Sequence, residues 1–355
     1  MVSRKWGVGI TIFVVFAIAF VGSIYLVSNQ FLFQGAESKP REVIFELRSG
    51  RPFNQVAHEL KALGVIKNSE AFILYARWTR SIPKVKAGEY KFVTTMTPIE
   101  VMRVLKSGVS IRHSFTVPEG FSSFEIAELM EQKGFGKKEE IIKLIFNPQF
   151  VARVLGWPAS SLEGYLYPNS YQFTRYTKVE KILEFMVQEF KKNFKQLSPP
   201  FPYNWNEHQV VTLASIIEKE TGAPQERPLI SSVFHNRLNK KMRLQTDPTI
   251  IYAKALISGK IIIDIKKADL NWDHPYNTYR RAGLPPGPIA NPGLESLKAA
   301  VDPAESDYLF FVSQNDGTHV FSENYRDHNQ AVQDFQKNRK ARQGKSWRDL
   351  NKQNN

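Results

Sequence analysis

The residue best placed for chemistry is a glutamate at the end of an apolar helix. Residues 207–222 read EHQVVTLASIIEKETG, with Val210, Leu213, Ala214 and Ile217 at i, i+3, i+4 and i+7. That spacing predicts one buried stripe. Three residues further on, the stripe reaches Glu220, so a carboxyl occupies a position the pattern reserves for the core. Glu218 lies about 200° round the helix, in the row of Val211 and Ser215, so the two acids cannot share one site. Glu220 comes just before Gly222, expected as a left-handed helix terminator, and so sits at the negative end of the helix dipole. The dipole and apolar neighbours both disfavour the ionised carboxylate. An acid that stays protonated near neutral pH is what general-acid catalysis requires. The same pattern also describes a surface glutamate at a frayed helix end, and the surrounding text has to decide between the two.

That text is dense in polar and aromatic residues. Ser231–Leu238 reads as a further helix with Asn236 and Arg237 near its end. RLQTDPTIIY (Arg243–Tyr252), YNTY (Tyr276–Tyr279) and GLPPGPIANPG (Gly283–Gly293) follow. Preset φ angles make the last of these more a wall than a linker. Amides, hydroxyls and rings in adjoining loops suit sugar recognition: rings stack on pyranose faces, and amides pair with hydroxyl and N-acetyl groups. The bland alternative is an ordinary set of turns. Candidate contacts are Gln245, Asp247, Asn277, Tyr279 and Asn291, with Glu163 and Tyr167 from the upstream segment EGYLYPNSYQF. Asp247 could equally cap the turn before Pro248, and Asn236 and Arg237 could form an internal network. A hydrolytic reaction would need a second acid, which Glu163, Glu226 or Asp247 could supply. His319 and His328 lack the spacing and carboxylate neighbours of a metal site; no metal or cofactor is expected.

The elements that must position these residues belong to a chain of 355 residues with 42% hydrophobic and 12% aromatic content. That is ample for a packed core and excludes wholesale disorder. There is no cysteine, which rules out a disulfide scaffold, a thiol nucleophile, a Cys-ligated zinc site and an iron–sulfur cluster. The 48 Lys+Arg against 34 Asp+Glu give a net charge of +14, compatible with nucleic acid, anionic lipid or an acidic polymer. The segment 6–27 (WGVGITIFVVFAIAFVGSIYLV) has no charge and the length of a spanning helix. Arg4 and Lys5 before it put residues 1–5 in the cytoplasm. The alternative is a cleaved signal peptide ending near Ala17-Ile18-Ala19, although the apolar run continues past it. Either way the bulk of the chain lies across a bacterial inner membrane, where nucleic acid is not a partner.

After a polar linker at 28–40, residues 41–110 predict a small α+β module. Val43, Phe45 and Leu47 alternate as in a half-buried strand. A helix carries Val56, Ala57, Leu60 and Leu63 to Gly64, and a second begins near Ser69. AGEYKFV is strand-like, and Thr97-Pro98-Ile99-Glu100 opens a helix with Pro at its first position. No acid cluster, His pair or Gly-rich loop occurs in it, so it reads as a binding or spacing module. A larger mixed α+β domain spans 111–340, followed by a charged tail at 341–355.

Several phrases occur in a fixed order: LASIIEKET, VFHNRL, MRLQTDPTIIY, YNTY, GLPPGPIANPG, SLKAA and YLFFV, with AGEYKF and EGYLYPNSY upstream. Across essentially the whole chain this resembles the endolytic murein transglycosylase (YceG-like) family of bacterial inner membranes. The resemblance implies an anchored protein with a LysM-like module and a catalytic domain with a lysozyme-like catalytic helix. It implies cleavage of β-1,4 links between N-acetylmuramic acid and N-acetylglucosamine in nascent peptidoglycan strands without water, leaving 1,6-anhydro ends. It carries the catalytic role to Glu220, the second acid of EKET, and suggests penicillin-binding glycan synthases as partners. Asn169 departs from the family pattern, where an acid is expected, and His235 is not expected to be functional. Competing readings are a muramidase-type hydrolase and a non-catalytic glycan-binding scaffold.

Overall fold

The computed structural model describes Val15 and residues 31–338. The expected cytoplasmic residues 1–5, spanning helix 6–27 and tail 341–355 lie outside the described residues, Val15 apart. Among the described residues no helix is long and apolar enough to cross a membrane. The chain is mixed α+β and divides into two compact units, one running to His113 and including Gln172–Tyr176, the other comprising Ser114–Tyr171 and the chain from Thr177.

In the first unit, β1 (Glu42–Leu47) pairs antiparallel with β2 (Gly88–Val93), Phe45 opposite Tyr90. Between them run α1 (Phe53–Ala62) and α2 (Ser69–Trp78), and α3 (Pro98–Ser107) follows. The alternation in β1 buries Val43, Phe45 and Leu47 against Leu60, Phe72, Val101 and Leu105. Helix α3 starts in a full capping box between Thr97 and Glu100 and stops at Gly108 in the left-handed region, as its Pro-at-N1 and glycine punctuation dictate. The distant segment 172–176 joins this unit, the Tyr176 hydroxyl donating to Glu46 Oε1 at 2.7 Å, a tie that no local pattern announces.

The second unit begins within β3 (His113–Thr116) and continues through α4 (Ser123–Gln132), α5 (Lys138–Ile145), α6 (Pro148–Leu155), the first two residues of β4 (Ser170–Phe173) and α7 (Val179–Phe194). Then come α8 (Glu207–Glu220), α9 (Arg227–Asn239), α10 (Asp247–Ser258), α11 (Lys267–Leu270) and α12 (Leu294–Val301). A hairpin of β5 (Phe310–Ser313) and β6 (His319–Ser322) and helix α13 (Tyr325–Ala331) complete it. Helix α8 is the centre, packed by α9, α10 and α12. It starts at Asn206, whose side chain forms a capping box with Gln209. The single stripe expected for α8 is too narrow: every residue from Val210 to Ile217 is buried. A helix enclosed by neighbours on several sides cannot remain amphipathic, and the small polar Thr212 and Ser215 fit because each satisfies itself on a backbone carbonyl one turn back.

Candidate active site

Glu220 closes α8, yet Gly222 does not end the helix in a left-handed turn as expected. Thr221 caps instead with extended backbone, its hydroxyl donating to Ile217 O at 2.7 Å. Gly222 is required by proximity: a Cβ there would lie 2.5 Å from the carbonyl oxygen of Gly317, between β5 and β6. The hairpin thus fixes the exit of the helix directly behind Glu220.

The Glu220 side chain is half-buried, and its carboxyl is set deep enough among neighbours that burial pushes its pKa up to about 7 from 4.5. The negative charge of Asp247 pushes the same way, while a hydrogen bond from Thr246 and the Arg237 guanidinium oppose it. Thr246 Oγ1 donates to Glu220 Oε1. Thr246 is itself buried and held by Thr278, whose Oγ1 accepts from Thr246 N at 3.1 Å. Gln245, exposed beside it, has φ +51° and donates its backbone N–H to Thr278 O. A glutamine in the left-handed region is strained, and such strain collects at functional sites. Asp247, exposed at the start of α10, accepts from the Tyr279 hydroxyl at 2.6 Å. Arg237 is buried, donating to Leu244 O and Leu309 O and lying 5.3 Å from the Phe310 ring centre. It steadies the strand of chain that leads to Thr246.

Glu220, Gln245, Asp247 and Tyr279 therefore come together, with Thr246 and Arg237 added. Thr246 lies between two candidates in QTDP, and that adjacency was the available signal for it. A cavity of about 330 Å³, lined by Lys219, Pro248, Ile251, Tyr252 and Ile289 among others, lies beside the residues flanking Glu220 and Asp247.

Three candidates are placed elsewhere, and each is a correction. Asn277, expected to touch a sugar, is fully buried; its amide donates to Asp269 O, Leu270 O and Trp272 O and its Oδ1 accepts from Tyr279 N. It shapes the loop that presents Tyr279. Glu163 is 1% exposed, accepting from Ser123 N on both oxygens and from Asn291 Nδ2 at 3.0 Å. Asn291, likewise buried, also accepts from Leu166 N and donates to Phe121 O. Glu163 and Asn291 thus tie three loops together and offer no atom to a glycan. Tyr167 is half-buried, its carbonyl accepting from the Tyr171 hydroxyl at 2.5 Å, and burial raises its pKa. Asn169 is exposed and its Oδ1 accepts from Ser170 N.

Two other acids near the C-terminal end of α8 are occupied. Glu218 pairs with Arg227 at 3.2 Å and accepts from Gly293 N at 3.0 Å, on the other side of the helix from Glu220 as its spacing demands. Glu226 accepts from His319 N at 3.1 Å and pairs with His319 Nδ1 at 2.7 Å. The Pro/Gly run is a wall: Pro285 and residues 287–293 are buried, and Ile289 N donates to Ser215 Oγ on α8.

Fold and site together define a mixed α+β protein in which one enclosed helix presents, at its C-terminal end, a half-buried glutamate whose pKa is raised to about 7. A model of the YceG-like family matches residues 45–334, and the chain belongs to that family. It is 32% identical over 335 residues to an endolytic murein transglycosylase of Bacillus subtilis, covering 89% of this chain and 91% of the relative. A Streptococcus pneumoniae protein of the same description is 28% identical across 84% of this chain, which spans 59% of that longer relative. A crystal structure of a putative yceG-like protein from Listeria monocytogenes superposes with a TM-score of 0.55 at 31% identity, covering 82% of this chain and 100% of that one.

Proposed function

We propose that this protein is a peptidoglycan lytic transglycosylase that cuts within glycan strands, using Glu220 as its sole acid and base. The observation that carries the reading is the state of the acids around α8. Among the described acids at the C-terminal end of α8, Glu220 alone is both half-open and lifted to about 7, while Glu163, Glu218 and Glu226 are committed to internal partners. Protonated Glu220 gives its proton to the glycosidic oxygen as the C1–O bond of the muramic residue breaks through an oxocarbenium-like state. The resulting carboxylate, steadied by Thr246 and Arg237, takes the proton of the muramic C6 hydroxyl as that oxygen closes on C1. Water is not consumed, so no second carboxylate is needed to activate it. The intramolecular attack benefits from high effective molarity. Exposed Gln245 and the Asp247–Tyr279 pair are the sugar contacts of this reading.

In the same proposal residues 6–27 anchor the chain in the inner membrane, the first unit is the LysM-like module, and the cut ends nascent strands made by penicillin-binding glycan synthases. Digestion of uncrosslinked glycan strands followed by mass spectrometry of the new ends tests the chemistry. Anhydromuramic ends are the expected product. Reducing ends, heavier by one water, would replace the reading with hydrolysis, with Asp247 as the second acid.

A further inference from the structure

A second hollow, of about 520 Å³, lies along the other half of α8. His208, Gln209 and Thr212 of the helix line it with Tyr203, Trp205 and the wall residues Gly283–Pro286. Thr212 and His208 precede Glu220 by roughly 12 and 18 Å along the axis, at ~1.5 Å per residue. Three features set the hollow apart from an incidental crevice.

The first is a cluster of rings. Tyr203, Trp205 and His235 lie with centres 4.9, 5.6 and 5.5 Å apart, and Tyr203 is 47% exposed. The second is backbone strain: Tyr203 and Asn204 both adopt left-handed φ, +55° and +54°. A bulky residue stays in that region only when its surroundings hold it there, and here the Tyr203 hydroxyl is tied to His235 O at 3.2 Å. The third is a fixed wall. His208 donates from Nε2 to Pro286 O at 2.8 Å and accepts at Nδ1 from the Tyr165 hydroxyl at 2.7 Å, which pins the proline loop to the helix.

The chemistry of the lining selects a ligand. No Lys, Arg, Asp or Glu is among the residues that line the hollow, so a charged peptide finds no counter-ion there. The exposed Tyr203 ring and the half-buried Trp205 ring offer a stacking face to the C–H side of a pyranose. Gln209, whose Oε1 accepts from Asn206 N, retains its Nε2 as a donor for an N-acetyl carbonyl. The hollow is also linked through the chain to residues around Glu220. Leu238 lines it next to Arg237, and the loop that carries Tyr279 runs on into Gly283–Pro286.

We propose that this hollow is a remote subsite for a neutral N-acetylglucosamine unit of the same glycan strand, held two to three helical turns from the bond being cut. The proposal rests on the transglycosylase reading and adds to it a second grip on the strand. A chain held at both points must reach at least from the hollow to the bond being cut, so short fragments gain nothing from the second grip.

The test measures calorimetric binding of β-1,4-linked N-acetylglucosamine oligomers of increasing length to the full-length Glu220→Gln protein, alone and with Trp205→Ala. Long oligomers should bind the Trp205→Ala form about tenfold more weakly, equivalent to ~1.4 kcal/mol, while the disaccharide binds both forms alike. Equal affinity of long oligomers for both forms would overturn the subsite. If Trp205→Ala does not fold, amide resonances of the Glu220→Gln protein decide. Shifts at 203–212 and 282–286 with long oligomers but not the disaccharide support the proposal; binding without them sinks it. Continued cleavage by Glu220→Gln would instead sink the assignment of Glu220 as the acid, and reducing ends in the wild-type digest would sink the transglycosylase reading; either leaves the hollow to be judged on binding alone.

Discussion

Glu220 and Glu163 both have carboxyl groups lifted from 4.5 to about 7, in each case chiefly by burial. They differ in what surrounds the carboxyl. Glu163 is closed off and surrounded by donors: Ser123 N–H on both oxygens, the Asn291 amide and the Tyr252 hydroxyl. Glu220 is half-open and its one side-chain donor is Thr246. A raised pKa therefore marks burial in both places, and only access and a spare oxygen make it useful for proton transfer. The comparison also separates neighbours on one helix, since Glu218 faces away into Arg227 and the Gly293 amide.

The largest effect should come from the open acid. Glu220→Gln removes the proton donor and keeps the shape, so cleavage of uncrosslinked strands should fall by about 10³-fold, within the range of general acid–base catalysis. The melting temperature should stay the same or rise. A fall of less than about tenfold would move the catalytic role elsewhere, and Glu218→Gln would be the next variant to assay.

Glu163→Ala should do the reverse. It strands Ser123 N and the Asn291 amide in a buried site, and should cost about 2–4 kcal/mol in a urea titration. The folded protein binds the Glu163 proton more tightly than the unfolded chain does. This group's contribution is thus fully present below about pH 4.5 and is lost as pH rises through about 7. The variant should flatten that part of the stability–pH curve. A stable Glu163→Ala protein with lost activity would contradict the structural role and return Glu163 to the site.

How much of this was legible in the text depends on whether a residue's partners are close in sequence. Thr97 and Glu100 write their own capping box, and Val43, Phe45 and Leu47 announce a one-sided strand, because each decision is made within a few residues. Glu220 stood out because a carboxyl interrupts apolar spacing. Asn277 and Asn291 misled for the opposite reason. An amide in a polar loop reads the same whether it faces a sugar or three backbone carbonyls, and only the folded loop distinguishes them. Gly222 was recognisable as necessary, but its cause, the approach of Gly317 from about ninety residues away, was not.

That approach supplies a smaller test. Gly222→Ala places a methyl 2.5 Å from Gly317 O, which the hairpin can relieve only by moving. The loss of stability should be about 1–3 kcal/mol, read from the thermal midpoint. Because the strain falls just behind Glu220, cleavage should drop as well, which a clash remote from the open acid would not produce. An unchanged midpoint would mean that the hairpin does not bear on the helix exit.

The smallest effects concern the tuning of Glu220 and have opposite signs. Activity requires the protonated acid, so kcat/KM should decline as pH rises through about 7. Thr246 donates to the ionised form and lowers the pKa, so Thr246→Val should move that descending limb to higher pH. The negative charge of Asp247 raises the pKa, so Asp247→Asn should move the limb to lower pH. A neutral hydrogen bond contributes about 0.5–1.5 kcal/mol, so each displacement should be at most roughly one pH unit. Two limbs moving apart would establish that the titrating group is the carboxyl these two residues bracket. Limbs that move together, or neither moving, would assign the profile to another group and remove the distinction between the open and the enclosed glutamate.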